Sequence, residues 1–329
     1  MRGFLKLLTG ANLLAATAVH AAVLIPVPPP AGVAPQATAV FGINDDNVIA
    51  GSYFTPDGVE HGFYGTLDGN YTTFDVGDSG VTEPRGINNA GIIMGICCTT
   101  TGDALPWERY SDGSFAYVTL KHGAPLGQGI SGAINAGSTF VASGWNSLFS
   151  QFFSFFGEGG QATKAINFPG VTRTFPRGLN DGKDVVGFYV GDDGRDHGFL
   201  KQNGVWHTFD YPDPNMTGTY LYGINNTGLI AGTWTDGKNN SYGFVYSPFT
   251  DKFAPIEEKH ATRGKYALVY GINNAGMIAV DFPYADGPFI YCPYNAKKCA
   301  AAGGIATSRP QESRTASVTI GRGSRTISR

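Results

Sequence analysis

A Gly-Ile-Asn run, followed by an Asn-x-Gly turn and a short apolar stretch, recurs along this chain and constrains its fold more than any other feature. It appears at Gly42-Ile43-Asn44 and Gly86-Ile87-Asn88, and as a degenerate copy at Ala133-Ile134-Asn135. Gly178-Leu179-Asn180, Gly223-Ile224-Asn225 and Gly271-Ile272-Asn273 complete the series. The copies are spaced by 44, 47, 45, 45 and 48 residues. A period in the forties belongs to propeller blades of four strands, not to shorter-period solenoids.

Each unit supplies those strands. The first leads into Gly-Ile-Asn, as in Ala267-Leu268-Val269-Tyr270, and the Asn-x-Gly turn suits the positive φ of a tight hairpin. Val185-Val186-Gly187-Phe188-Tyr189 exemplifies the second strand, Gly198-Phe199-Leu200 the third and Trp206-His207-Thr208-Phe209 the fourth. Forty-seven glycines and a charged fraction of 15% fit many short strands joined by tight turns. The sixth unit lacks a fourth strand, whereas Val23-Leu24-Ile25-Pro26-Val27 precedes the first unit as a strand without a unit. The sequence therefore predicts an all-β, six-bladed β-propeller of four-stranded antiparallel blades, closed by its N-terminal strand. An unclosed ring would leave a blade edge unpaired.

The N-terminus reads as an export signal over residues 1–22. Arg2 and Lys6 precede an apolar run from Leu7 to Val19, and Val19-His20-Ala21 offers small residues for cleavage. That run falls short of the roughly 20 residues needed to span a bilayer, and no other segment qualifies. The expected product is a secreted or periplasmic monomer, with the propeller over residues 23–299 and a disordered Ser/Arg-rich tail over 300–329. Cys292 and Cys299 flank a loop that a disulfide could close, while the adjacent Cys97 and Cys98 are left as thiols or in another pairing. The chain carries a net charge of −3. Removing the two signal cations leaves −5, and setting aside the tail, with five arginines against Glu312, leaves −9 on the body. So acidic a body argues against nucleic acid as a partner.

The Gly-Ile-Asn-Asn-x-Gly-x-Ile run, with an Asp-Gly-x-x-His-Gly-Phe segment downstream, resembles the bacterial extracellular repeat family named for its His-Ala-Phe motif. The resemblance covers roughly residues 23–295 and is most specific at Asp57-Gly58-Val59-Glu60-His61-Gly62-Phe63 and Asp193-Gly194-Arg195-Asp196-His197-Gly198-Phe199. It implies an exported β-propeller with no assigned reaction. Some members carry a C-terminal sorting signal with an apolar helix; none is visible in this sequence.

His61 and His197 hold the same position in two repeats, which favours a structural role over catalysis. Asn44, Asn88, Asn180, Asn225 and Asn273 are read the same way, as turn caps. Asp192, Asp193 and Asp196 could offer calcium its oxygen ligands, although no full calcium loop is present and solvated turns are the favoured reading. No other metal or cofactor site is expected. The residues just before each Gly-Ile-Asn are Phe41, Arg85, Gly132, Arg177, Tyr222 and Tyr270. On an innermost strand they would form a layer around the axis, where two arginines and three aromatics could hold a carboxylate or sulfate and stack on a ring. The competing reading pairs the arginines with linker acids such as Glu83 or Asp213. His122 and His260 lie in linkers with no nucleophile beside them, and Glu257 is a further scattered acid. Function is thus expected to be binding of a small ligand, glycan or protein at the channel mouth. The alternative is an extracellular hydrolase or lyase acting on a polysaccharide or similar polymer.

Overall fold

The computed structural model describes residues 22–77, 80–98, 104–120, 129–146, 151–238, 240–256, 266–282, 287–294 and 298–299. The export signal, the tail from 300, His122, Glu257 and His260 lie outside them.

Strand β1 (Val23–Pro26) precedes five consecutive groups of four. These are β2–β5 (Thr38–Ile43, Ile49–Phe54, Glu60–Gly65, Tyr71–Phe74) and β6–β9 (Thr82–Ile87, Ile93–Cys98, Ala104–Arg109, Phe115–Tyr117). Next come β10–β13 (Gly129–Ile134, Thr139–Asn146, Gln151–Glu158, Gln161–Ala165) and β14–β17 (Thr174–Leu179, Val185–Val190, Asp196–Gln202, Val205–Thr208). The fifth group is β18–β21 (Met216–Ile224, Ile230–Asp236, Ser241–Ser247, Lys252–Ile256). Three strands, β22–β24 (Leu268–Ile272, Ile278–Asp281, Pro288–Cys292), end the series.

Every group is an antiparallel meander, because its strands are joined by short turns. The last three strands take β1 as their fourth, with Leu24 opposite Tyr291 and Ile25 opposite Ile290. The groups β14–β17 and β18–β21 count as one eight-stranded sheet, which departs from the expected four. The cause is a single parallel bridge between Asp196 and Gly218. Equivalent bridges join Glu60 to Val81 and Ser241 to Tyr266 outside the regular strands. β18 begins early enough to absorb its bridge, so the fusion is a neighbour contact common to several units.

Apolar clusters fill the spaces between neighbouring sheets. One combines Val40, Ile49 and Phe63 of the first group with Met277 and Ile290 of the last and Ile25 of β1. Four of the second strands set a glycine opposite a third-strand aromatic: Gly51 faces Phe63, Gly95 faces Trp107, Gly187 faces Phe199 and Gly232 faces Phe244. All four rings are fully buried. Cys292 and Cys299 are joined by a disulfide, and Cys97 is a buried thiol directed at the Leu105 carbonyl. Among the described residues no helix is long and apolar enough to cross a membrane.

Candidate functional site

The recurrent triplet builds the axis. Its glycine lets adjacent inner strands approach: a Cβ on Gly42 would lie 3.0 Å from the Gly86 Cα, and one on Gly271 would lie 3.2 Å from the Gly42 Cα. Its Ile or Leu side chains line two cavities placed end to end, forming the channel waist. Its asparagines are buried and bond both within and between units. Asn225 Oδ1 accepts from the Leu229 amide at 3.0 Å, closing its own turn, while its Nδ2 donates to the Asn273 carbonyl at 3.1 Å. The same donation runs from Asn44 to Asn88, on through Asn135 and Asn180 to Asn225, and from Asn273 back to Asn44. The hydrogen bonds thus form a closed circuit. Spacing along the sequence shows the turn cap but not this link to the next unit.

The residue before each triplet sits in a β-bulge. Pairing slips between Val40 and Gly42, Pro84 and Gly86, Ser131 and Ile134, Pro176 and Gly178, Leu221 and Gly223, and Val269 and Ile272. A bulge inserts one unpaired residue and re-aims its side chain. Phe41, Arg85, Gly132, Arg177, Tyr222 and Tyr270 accordingly share the wall of one cavity, about 640 Å³ of empty space partly open to solvent.

The structure brings four of these residues into contact. The rings of Tyr222 and Tyr270 lie 5.8 Å apart, those of Tyr270 and Phe41 4.9 Å, and the Arg85 guanidinium sits 5.0 Å from the Phe41 ring. Arg85 Nη2 also meets Glu83 Oε1 at 2.7 Å, the linker pairing named as the competing reading. Asp213 caps its own turn, accepting from the Asn215 amide at 2.8 Å. Arg177 is surrounded by the channel wall, and that loss of solvent pushes its pKa down to about 10, so it stays charged at neutral pH. Gly132 separates the two arginines. A Cβ there would come within 2.8 Å of the Pro176 carbonyl oxygen, so the close approach of the next inner strand keeps this position without a side chain.

Three carboxyls lie nearby. Glu60 is raised above the ordinary range, by burial first and by the Glu83 charge, against a 2.6 Å hydrogen bond from Ser52 Oγ. Burial raises Asp281 to about 6. Glu83 itself is held by Arg85.

The remaining candidates are engaged in other pairings. His61 Nδ1 meets Asp75 at 2.8 Å with its ring stacked 5.2 Å from Tyr53; His197 meets Asp210 at 2.8 Å and stacks 5.3 Å from Tyr189. Each histidine is clamped between a carboxylate and a tyrosine of its own unit. Asp193 accepts from the Arg195 amide and Asp196 from the Tyr220 hydroxyl, so these carboxylates turn to different partners. Among the described residues no three His, Cys, Asp or Glu side chains gather as a metal site, which removes the support for calcium at Asp192, Asp193 and Asp196.

No family model matches the chain, and no curated protein matches it. Solved structures do. A gluconolactonase from Xanthomonas campestris superposes with a TM-score of 0.52 at 10% identity, covering 84% of this chain and 99% of that one. A protein assigned as TolB in Agrobacterium tumefaciens gives 0.51 at 11% identity over 66% of this chain and 79% of that one. YjhT gives 0.50 at 13% identity over 80% and 95%. At such identities the likeness concerns the fold alone, and the fold of this chain is an all-β propeller of antiparallel sheets.

Proposed function

We propose that the chain is an exported six-bladed propeller, closed by β1, that binds an anionic ligand at the arginine-bearing mouth of its channel. The observation that carries this reading is the set of six bulges. They aim two guanidiniums, separated by a glycine notch, and an arc of three aromatic rings into one cavity. Arg177 is already stripped of much of its water, so an incoming carboxylate or sulfate meets a thinly solvated cation, and charge-assisted bonds are strong in such a place. The aromatic arc supplies a flat face for a sugar or aryl ring. Export rests on the N-terminal segment and on the disulfide.

The test is a calorimetric screen of the mature chain against acidic sugars, sulfated sugars and aryl acids, with neutral analogues beside them. Arg177→Ala should weaken any acidic hit by roughly 10- to 100-fold, the span of a lost charged hydrogen bond. Acidic hits unaffected by both Arg85→Ala and Arg177→Ala would overturn the reading.

A hydrolase or lyase is the second reading, favoured by Glu60 and Glu83. One carboxyl is raised by burial while its neighbour is held beside a guanidinium, the division of labour that acid–base catalysis uses. Polymer turnover abolished by Glu60→Gln would support it; binding without turnover would exclude it.

A further inference from the structure

The six-fold pattern breaks on one side of the mouth. Two residues before each bulge, and directly across on the second strand, the first group places Ala39 and Ser52, the second Glu83 and Ile96, and the last Leu268 and Asp281. The β14–β15 pair instead places Phe175 and Phe188 there. Their rings are stacked at 4.7 Å. Phe152, on β12, continues the run at 4.9 Å from Phe175, and Tyr220, on β18, extends it at 5.0 Å from Phe188. Trp145 lies opposite Phe152 in the sheet and is 43% exposed.

This run is not core. Its members are partly exposed, and none of the six apolar clusters includes Phe152, Phe175, Phe188 or Tyr220. Repetition does not demand the pair either: Tyr220 of the next unit is aromatic at the position of Phe175, but it faces Thr233, and the other units hold small, acidic or aliphatic residues there. It meets the channel at Arg177, whose guanidinium carbon lies 5.6 Å from the Phe188 ring and 6.0 Å from Phe175.

We infer that the ligand is an acidic oligosaccharide: one charged sugar seats its anion at Arg177, and further units lie along the aromatic run. The inference rests on the anion-binding reading above and assigns that site its ligand class. The rings turn their faces largely to one another, so what the run leaves exposed is a strip of ring edges and outer surface, apolar ground against which the C–H groups of successive sugar rings pack. Polar groups edge the same surface: the Tyr220 hydroxyl and the Asp196 carboxylate to which it donates at 2.8 Å. An aliphatic ligand would strip water from those groups without replacing their hydrogen bonds, whereas sugar hydroxyls replace them. The run crosses three successive centroid spacings, a length for several linked rings and too long for one.

The probes are galacturonic acid and its linear tetramer, and a sulfated galactose with a sulfated galactan tetramer, titrated calorimetrically into the mature chain. One acidic series should bind at least roughly tenfold tighter as tetramer than as monomer, as one or two added ring contacts imply. Phe152→Leu, which keeps apolar volume but removes a ring that is not packed on Arg177, should reduce that gain and leave the monomer affinity unchanged. Trp145→Leu, at the exposed outer end, should reduce the gain with no burden on folding. Arg177→Ala should weaken monomer and tetramer alike. A monomer that binds through Arg177 with no gain on lengthening, or a gain that survives both aromatic changes, overturns the inference while leaving anion binding intact. If neither monomer nor tetramer of either series binds, the oligosaccharide assignment falls; if the aryl acids fail as well, so does the reading beneath it.

Discussion

At the scale of single residues, the buried asparagine is where stability concentrates. Asn225 caps its own turn through Oδ1 and ties its unit to the next through Nδ2. Asn225→Ala leaves several buried partners unsatisfied, including the Leu229 amide, so a loss of roughly 2–4 kcal/mol is expected, read as a lower urea midpoint. A change under about 0.5 kcal/mol would mean that water replaces the side chain. Asp281 acts in the opposite direction. Burial raises its carboxyl to about 6 in the folded chain, so between roughly pH 4 and 6 the folded state holds a proton that the unfolded state has released. Folding stability then falls as pH rises through that window. Asp281→Asn removes the penalty, and its advantage over the natural residue should grow from near zero at pH 4 to on the order of 3 kcal/mol above pH 6.5. Parallel unfolding curves for the two chains across that range would refute the assignment. The asparagines were plain in the sequence because they recur. Asp281 was not, since its chemistry comes from burial that no local pattern records.

At the scale of elements, the second strand carries a constraint that spacing alone does not reveal. Gly187 lies opposite Phe199, and a Cβ on it would overlap the Phe175 carbonyl oxygen as well as the Phe199 ring. The obstacle includes backbone, so a rotamer change cannot relieve it. Gly187→Ala is expected to cost about 3 kcal/mol, at the upper end for overpacking. Gly194→Ala offers a contrast within the same unit: nothing lies within 4 Å of its Cβ, and only its φ of +78° opposes the change. Thermal unfolding should rank the first variant below the second; the reverse order would show that the strand yields. Strand order and hairpin turns were legible because period and turn chemistry are local. The bulges were not: one unpaired residue leaves no mark on composition, and only the pairing register exposes it. The channel layer was therefore identifiable by position while the reason for its inward aim stayed hidden. The aromatic run leaves no signal in the repeat, since its members come from three different units and only Phe175 and Tyr220 share a repeat position.

At the scale of the molecule, the closed ring proposed above has two devices that could hold it: the asparagine circuit and the pairing of β1 with β24. β1 brings Ile25 and, just beyond it, Val27 into a cluster with Met277 and Ile290, and the Val27 amide donates to the Pro288 carbonyl at 3.0 Å. Without it, β24 would present an unpaired edge, and two buried aliphatic side chains would be lost, on the order of 4–5 kcal/mol of apolar burial. That sum is comparable to the whole stability of many domains. A chain that begins at residue 28 should therefore unfold at a much lower urea concentration than one that begins at residue 22 and run as aggregates on size exclusion, because a bare strand edge pairs with another copy. A peptide carrying the sequence of residues 22–28, added in excess, should restore the single-chain elution volume, since it offers β24 the same partner without the covalent link. The asparagine circuit makes the opposite forecast. If the hydrogen bonds that return from Asn273 to Asn44 suffice, the shortened chain will elute unchanged and lose only the burial of two side chains. Peptide rescue separates the two, because a ring held by its asparagines gains nothing from a strand supplied to β24.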